Sequence, residues 1–302
     1  MKRQLVWISA LAALLAGCSN ENNDGMPEAD GRVALQVSSG IDVQARAHDD
    51  QWDNGDAIGI YMLNGNAPEE ENQKYTTTDN TKQGSFSAAE GQTIYFPIDG
   101  TVRDFIAYYP WQEIPKGNSM YQVDVTNQPT QKAIDLMGAA KVTGKDKNNP
   151  AVAFAFTHKL VKLYMTIKPD GSSLETADLE AMVVTLTNQR TKATYDVLTN
   201  GDVIVDTQTG LANITLKTAA DGTTAEGIVL PANDTDGMLL TFALNNGDTF
   251  TWAVKNAPQS QQFVAGSKYI YTITVGRNGL EVTSTITDWT AGNGTGESGS
   301  AQ

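Results

Sequence analysis

Residues 151–167 read AVAFAFTHKLVKLYMTI. Val152, Phe154 and Phe156 recur at every second position, the period of a strand with one face buried. After the polar Thr157-His158-Lys159 step, a second apolar run follows from Leu160 to Ile167. A helix would repeat its apolar residues at intervals of three and four, and this stretch does not. Two consecutive strands are expected, one on each side of His158.

The same period continues toward the N-terminus. Tyr121, Val123 and Val125 alternate with polar neighbours, as do Val102, Phe105 and Ala107, Ile58, Ile60 and Met62, and Val33, Leu35 and Val37. Toward the C-terminus strands fit residues 182–187, 194–198, 203–205, 214–216 and 228–230. Two hairpins are marked, 238–244 with 249–254 across Asn246-Gly247, and 269–275 with 280–286 across Asn278-Gly279. Asn-Gly supplies the positive φ values of a tight hairpin turn. Helical patterns are confined to residues 131–139 and 174–179. Many short strands with frequent turn signals make an all-β chain of β-sandwiches. The polar loop 143–150 puts a division near residue 155, giving an N-terminal sandwich over 32–155 and a C-terminal one over 156–290.

The ends carry targeting and tether signals. Lys2 and Arg3 precede an uncharged apolar run over 5–15, too short for a bilayer span of roughly 20 residues. It ends in Leu15-Ala16-Gly17-Cys18, small residues before a cysteine, as a lipoprotein signal peptidase requires. Residues 1–17 are therefore expected to be a signal peptide, Cys18 the lipidated residue, and 18–31 a polar tether. Residues 291–302, rich in Gly, Ser and Thr, read as a flexible tail.

Cys18 is the only cysteine, so once lipidated it leaves no disulfide, thiolate metal site or cysteine nucleophile. Losing Lys2 and Arg3 removes two positive charges from the formal −14 and leaves −16. With no Lys/Arg stripe, nucleic acid is not an expected partner.

Catalytic chemistry finds few residues to use. The histidines are His48, in a polar stretch, and His158, between two strands. No G-x-S-x-G, H-E-x-x-H, P-loop or G-x-G-x-x-G pattern occurs. Asp234 and Asp236 miss the EF-hand spacing, which would put Ala232 and Ala243 at ligand positions, and read as a turn. Asp53, Asn54 and Asp56 around Gly55 read as another. No catalytic residue, metal or cofactor is expected. Trp52, Tyr108, Tyr109, Trp111 and Trp252 are aromatic candidates for stacking on sugars, with the core as their alternative place.

An ordered series of motifs now stands along the chain: Arg46-Ala47, then Trp52 followed by Gly55-Asp56 and Ile58-Gly59-Ile60-Tyr61. Tyr108-Tyr109-Pro110, Asp135-Leu136-Met137, Phe156-x-His158-Lys159-Leu160, Tyr269-x-Tyr271 and Ile286-Thr287-Asp288-Trp289 complete it. The series resembles the fimbrillin family, pilus subunits of Bacteroides-like bacteria, over nearly the whole chain after Cys18. That resemblance implies two tandem transthyretin-like β-sandwiches and a surface pilus or adhesin subunit assembled by β-strand exchange. It implies that an arginine-specific protease removes an N-terminal strand; Val33, Leu35 and Val37 fit that strand, and Arg46, before Ala47 in a polar stretch, is the expected cut, with Arg32 as the alternative. A strand of another subunit would fill the groove. The C-terminal segment 280–289 is a candidate donor and equally an ordinary closing strand. The implied partners are other pilin subunits in a homo- or heteropolymer, the outer membrane through the lipid on Cys18, and a host surface or glycan. The alternative reading is a surface glycan-binding lipoprotein of a carbohydrate-uptake system.

Overall fold

A computed structural model describes residues 31–41 and 51–289. Its N-terminal half contains β1 (Gln36–Ile41), β2 (Ala57–Asn64), β3 (Ala67–Thr76), β4 (Gln83–Ala88), β5 (Arg103–Tyr109), β6 (Met120–Asp124), β7 (Met137–Ala139), β8 (Val142–Lys145) and β9 (Ala151–His158). The main sheet runs β2-β3-β4-β1-β9-β7-β5, and β5 pairs back onto β2, so the sheet closes into a ring. β7 and β8 share one edge of β5, along its end and its beginning respectively.

The alternation with polar neighbours expected for β2 and β5 is not what the structure shows, because both strands are buried on both faces. Strands covered on both faces lose the polar half of the alternation. Ile58, Ile60, Met62, Phe105 and Ala107 face a core inside the ring, with Trp52, Tyr75 and Phe86. Tyr61, Leu63, Ile106 and Tyr108, on the other face, belong to a second core that continues into the C-terminal half.

That half contains β10 (Val161–Pro169), β11 (Val183–Gln189), β12 (Lys192–Asp196), β13 (Ile204–Val205), β14 (Ala212–Thr215), β15 (Lys217–Thr218), β16 (Thr224–Val229), β17 (Leu239–Ala243), β18 (Thr249–Ala253), β19 (Ser267–Gly276) and β20 (Gly279–Asp288). A five-stranded sheet, β15-β16-β10-β19-β20, and a four-stranded sheet, β14-β11-β17-β18, share the second core. Alternate residues of β19 (Tyr269, Tyr271, Ile273 and Val275) are fully enclosed, as the period of two requires. A third sheet, β13-β12-β6, crosses between the halves, because β6 leaves the ring and pairs with β12. Each half holds one parallel pair, β1 with β9 and β10 with β19.

The opening stretch forms β9 and β10, and β9 pairs with β7 as far as His158, so the division expected after residue 155 falls inside a strand. The helix expected over 131–139 is replaced by a 3-10 turn at Gln128–Ala133 followed by β7. Gly138 lies in β7 because a Cβ there would come 2.7 Å from Lys159 Cε and collide with Tyr195 and Asn200. Only Thr176–Leu179 of the second candidate helix is helical, again 3-10. The β19–β20 turn is centred on Arg277-Asn278, with Gly276 opposite Gly279. Strands β3 and β4 have no forerunner in the sequence reading. β3 (APEEENQKYT) encloses only Tyr75, and its register against β2 shifts twice, which erases the alternation.

Candidate functional site

The first strand lies inside the ring and not at an edge. β1 pairs antiparallel with β4, Val37 opposite Phe86 and Ser39 opposite Gly84, and parallel with β9, Val37 opposite Val152 and Ser39 opposite Phe154. The chain is already held before the strand begins: Leu35 N–H donates to Ile94 O at 2.9 Å, Gln36 N–H to Pro150 O at 3.1 Å, and Phe96 N–H to Val33 O at 3.0 Å. Of the three residues expected to fill the groove, Leu35 and Val37 are buried and Val33 is half-buried. Burying the two is worth about 3–6 kcal/mol at ~1.5–3 each.

The next inward residue is Ser39, 2% exposed, with a hydroxyl that has no hydrogen-bond partner among the described residues. Leu35, Val37 and Ser39 continue one period-two series, so the sequence did carry the signal for Ser39. The groove floor is aromatic. Trp52 meets Phe86, Tyr109 and Phe156 edge-on, with ring centroids 5.1, 5.3 and 5.3 Å away. Gly84 makes room for this: a Cβ there would come 3.0 Å from Trp52 Cδ1 and 3.1 Å from Phe86 Cε2. Gly84 and Phe86 lie on β4, which is why the sequence reading missed both.

Cys18, Arg46, Ala47 and His48 lie outside the described residues. The described chain leaves the ring at Ile41 and resumes at Gln51, beside the groove floor. At the other end, β20 pairs with β19 along its whole length and Trp289 is buried, the arrangement of a closing strand.

The remaining candidates serve structure. His158 is buried, its Nδ1 2.8 Å from Asp135 Oδ1 and its ring stacked on Trp289. Asp236 N–H donates to Asp234 Oδ1 at 2.8 Å, and Asp53 N–H to Asp56 Oδ2 at 2.8 Å, so both acidic clusters are turns. Among the described residues no three His, Cys, Asp or Glu side chains gather as a metal site would require, and no helix is long and apolar enough to cross a membrane. Trp52, Tyr108 and Tyr109 are core residues, which removes them as stacking platforms. Trp111 and Trp252 are half-buried; the first lies under Lys74 Nζ at 4.5 Å, the second meets Tyr271 edge-on.

A family model described as fimbrillin-like matches residues 45–289. A curated Bacteroides uniformis relative, named as a candidate fimbrium subunit, Fim1C, is 55% identical over 306 residues, covering 100% of both chains. The crystal structure of a candidate cell adhesion protein from Bacteroides uniformis superposes with a TM-score of 0.80 at 55% identity, covering 87% of this chain and 99% of that one. A candidate cell adhesion protein from Bacteroides ovatus has the same fold, with a TM-score of 0.68 at 23% identity over 86% of this chain and 99% of that one.

Proposed function

The chain belongs to the fimbrillin-like family, and from that premise we propose that it joins its fimbrium by exchanging β1 for a strand of another subunit. It is a structural subunit of a cell-surface fimbrium and assembles with other pilin subunits. In this reading it travels as an outer-membrane lipoprotein anchored through Cys18, and its halves are two transthyretin-like sandwiches. A protease cut between Arg46 and Ala47 then releases the strand of Val33, Leu35 and Val37.

The observation that carries the reading is the place of β1. Its removal opens the ring between β4 and β9, and it is followed directly by the segment that contains Arg46. Its loss would expose two rows of unpaired backbone groups above an aromatic floor, which an extended segment can fill by β-augmentation. Ser39 weakens the hold of the resident strand. An incoming strand with an apolar residue at that position would bury more surface and leave no enclosed hydroxyl unpaired, a group that costs about 1–3 kcal/mol. Contact with a host surface or glycan is a further step of the same reading.

The test is limited digestion of the chain lacking residues 1–17 with an arginine-specific protease, followed by N-terminal sequencing and size-exclusion chromatography. A single cut after Arg46 with a ladder of oligomers is expected, and Arg46→Ala should abolish both. Clean cutting that leaves only monomers would overturn strand exchange for this subunit.

A further inference from the structure

At the end of the ring where β1 begins, two aliphatic side chains are left largely uncovered. Ile98 and Val102 are 64% and 55% exposed, on the turn that leads into β5. That turn is clamped. Gly100 N–H closes it onto Pro97 O at 3.1 Å. The Lys147 ammonium donates to Ile98 O, and Arg103 Nη1 donates to Val102 O at 2.9 Å. With both carbonyls tied down, the two side chains are held outward. Exposed aliphatics scattered singly are ordinary; two on one clamped turn form a contact surface.

The chain enters the fold at this same end. Arg32 lies 4.0 Å over the ring of Tyr95, Phe96 N–H donates to Val33 O, and Gln36 N–H donates to Pro150 O, just after the turn that carries Lys147. Cys18 lies thirteen residues before Gly31. A lipid on Cys18 is therefore within about 45 Å of this end whatever path the chain takes, at ~3.3–3.6 Å per residue. β1 then leads about 17 Å away, at ~3.3 Å per residue, to Ile41 opposite Phe156. Charge agrees with the placement. The chain as a whole carries −14. Here Arg103 is paired with Glu69, and Arg32, Lys145 and Lys147 stand against Asp99 and Asp146. Anionic headgroups would repel the acidic remainder of the chain and not this end.

We propose that this end of the ring sits on the bilayer surface, with Ile98 and Val102 inserted among the lipid headgroups, for as long as the subunit is held by its lipid. The proposal rests on the anchor at Cys18 and not on strand exchange. Two aliphatic side chains would not bring a free protein to a membrane. The anchor removes that requirement, because a short tether keeps the local concentration of bilayer high. A small apolar contact then suffices to set which end faces down. The consequence concerns processing. With this end down, the chain leaves the ring at Ile41 and returns to it at Gln51 on the side away from the bilayer, where Trp52 meets Phe156. That orientation presents the Arg46 segment between them to a soluble protease.

The experiment takes the chain lacking residues 1–17, whose only thiol is Cys18, and couples it to a maleimide phospholipid in nanodiscs of phosphatidylethanolamine and phosphatidylglycerol. Isoleucine methyl groups are followed by NMR with and without a nitroxide-headgroup lipid in the disc. Ile98 and Ile204, the latter on β13 in the other half, are equally exposed at 64% and 63%, so exposure alone cannot separate them. The Ile98 signal is expected to be lost and the Ile204 signal to persist. Val102→Asp, a change at an exposed position that leaves the fold alone, should restore Ile98. Equal broadening of the two isoleucines overturns the proposal. So does a loss of Ile98 that persists in Val102→Asp, which is what the tether alone would produce. Association of the Cys18-capped chain in solution, reversed by Val102→Asp, would overturn it too, since a second copy would then be the occupant. The mass of the chain isolated from cells reports lipidation of Cys18 separately, so failure of the anchor and failure of the bilayer contact are told apart.

Discussion

The indole of Trp289 lies flat on the imidazole of His158, ring centroids 4.0 Å apart and planes 5° from parallel. His158 is held in turn by Asp135, and the Trp289 backbone N–H donates to Gly266 O at 2.6 Å. Three motifs far apart in sequence, Asp135-Leu136-Met137, the His158 step and the closing tryptophan, thus meet at one point between the ring and the C-terminal sandwich. Trp289 pins the end of β20 there, so β20 could serve another subunit only by giving up both this stack and its ladder with β19.

Trp289→Ala should therefore cost about 3–5 kcal/mol, the usual range for an enclosed tryptophan, and Trp289→Phe clearly less. Urea unfolding measures both. A loss under about 1 kcal/mol for the alanine variant would mean that the stack does not hold the C-terminal strand.

Gly59 and Tyr108 are a second long-range pair, and they join two more of the motifs. A Cβ at Gly59 would overlap the Tyr108 ring, 2.6 Å from Cζ, and come 2.7 Å from Asn72 Oδ1. The Tyr108 hydroxyl lies 2.6 Å from Asn72 Oδ1 and 2.9 Å from Gln112 O, so the ring has no free direction in which to retreat. Gly59→Ala should destabilise by about 3 kcal/mol or more through overpacking. Gly59→Ala combined with Tyr108→Phe should recover little, because the clash is with the ring. Recovery of full stability by the double variant would place the strain in the hydroxyl instead.

These contacts bear on how much the sequence could tell. Period-two alternation located most strands, and inward Leu35 and Val37 were legible from it. β3 was not, because its register against β2 shifts twice and only Tyr75 is enclosed; β4 does alternate, but one of its two inward residues is Gly84, which carries no apolar signal. Ring closure was hidden too: β1 pairs with β9 in parallel across more than a hundred residues, and no local signal sets such a register.

Stability should fall at both ends of the pH scale. Burial pushes the Glu226 carboxyl up, but the Lys162 and Lys217 ammonium groups outweigh it and hold the carboxyl below its ordinary value. Asp170 is held low by the Ser173 hydroxyl, then by the backbone N–H groups of Ser173 and Leu174. A lowered folded-state pKa stabilises above the unfolded value near 4, and that contribution disappears as pH falls through the folded one. At the alkaline end burial raises Tyr61 to about 12, with Glu71 and Asp196 adding to it, and raises Tyr75 to about 12 against a backbone hydrogen bond from Ile94. Their stabilisation is complete below the unfolded value near 10 and lost as pH rises toward 12. Urea midpoints should hold between about pH 5 and 9 and drop on either side. Tyrosinate absorbance rising well before unfolding would show that these phenols are reachable in the folded chain.

The side chain of Gln128 stands in for a strand. It is fully buried at the 3-10 turn that joins the halves; its Nε2 donates to Val125 O at 2.6 Å and to Ile228 O at 2.7 Å, and its Oε1 accepts from Ile228 N–H at 2.9 Å. β16 thereby gains two backbone partners that no neighbouring strand supplies. Gln128→Leu keeps the volume but leaves three backbone groups without their partner. At about 1–3 kcal/mol per enclosed unpaired group the loss should be about 3 kcal/mol or more. Gln128→Glu keeps an oxygen where Ile228 C=O and Val125 C=O need a donor, and should be nearly as damaging. Urea unfolding gives the cost, and hydrogen exchange at the Ile228 amide gives its location. If that amide stays protected in Gln128→Leu at nearly unchanged stability, the joint between the halves does not depend on the Gln128 side chain.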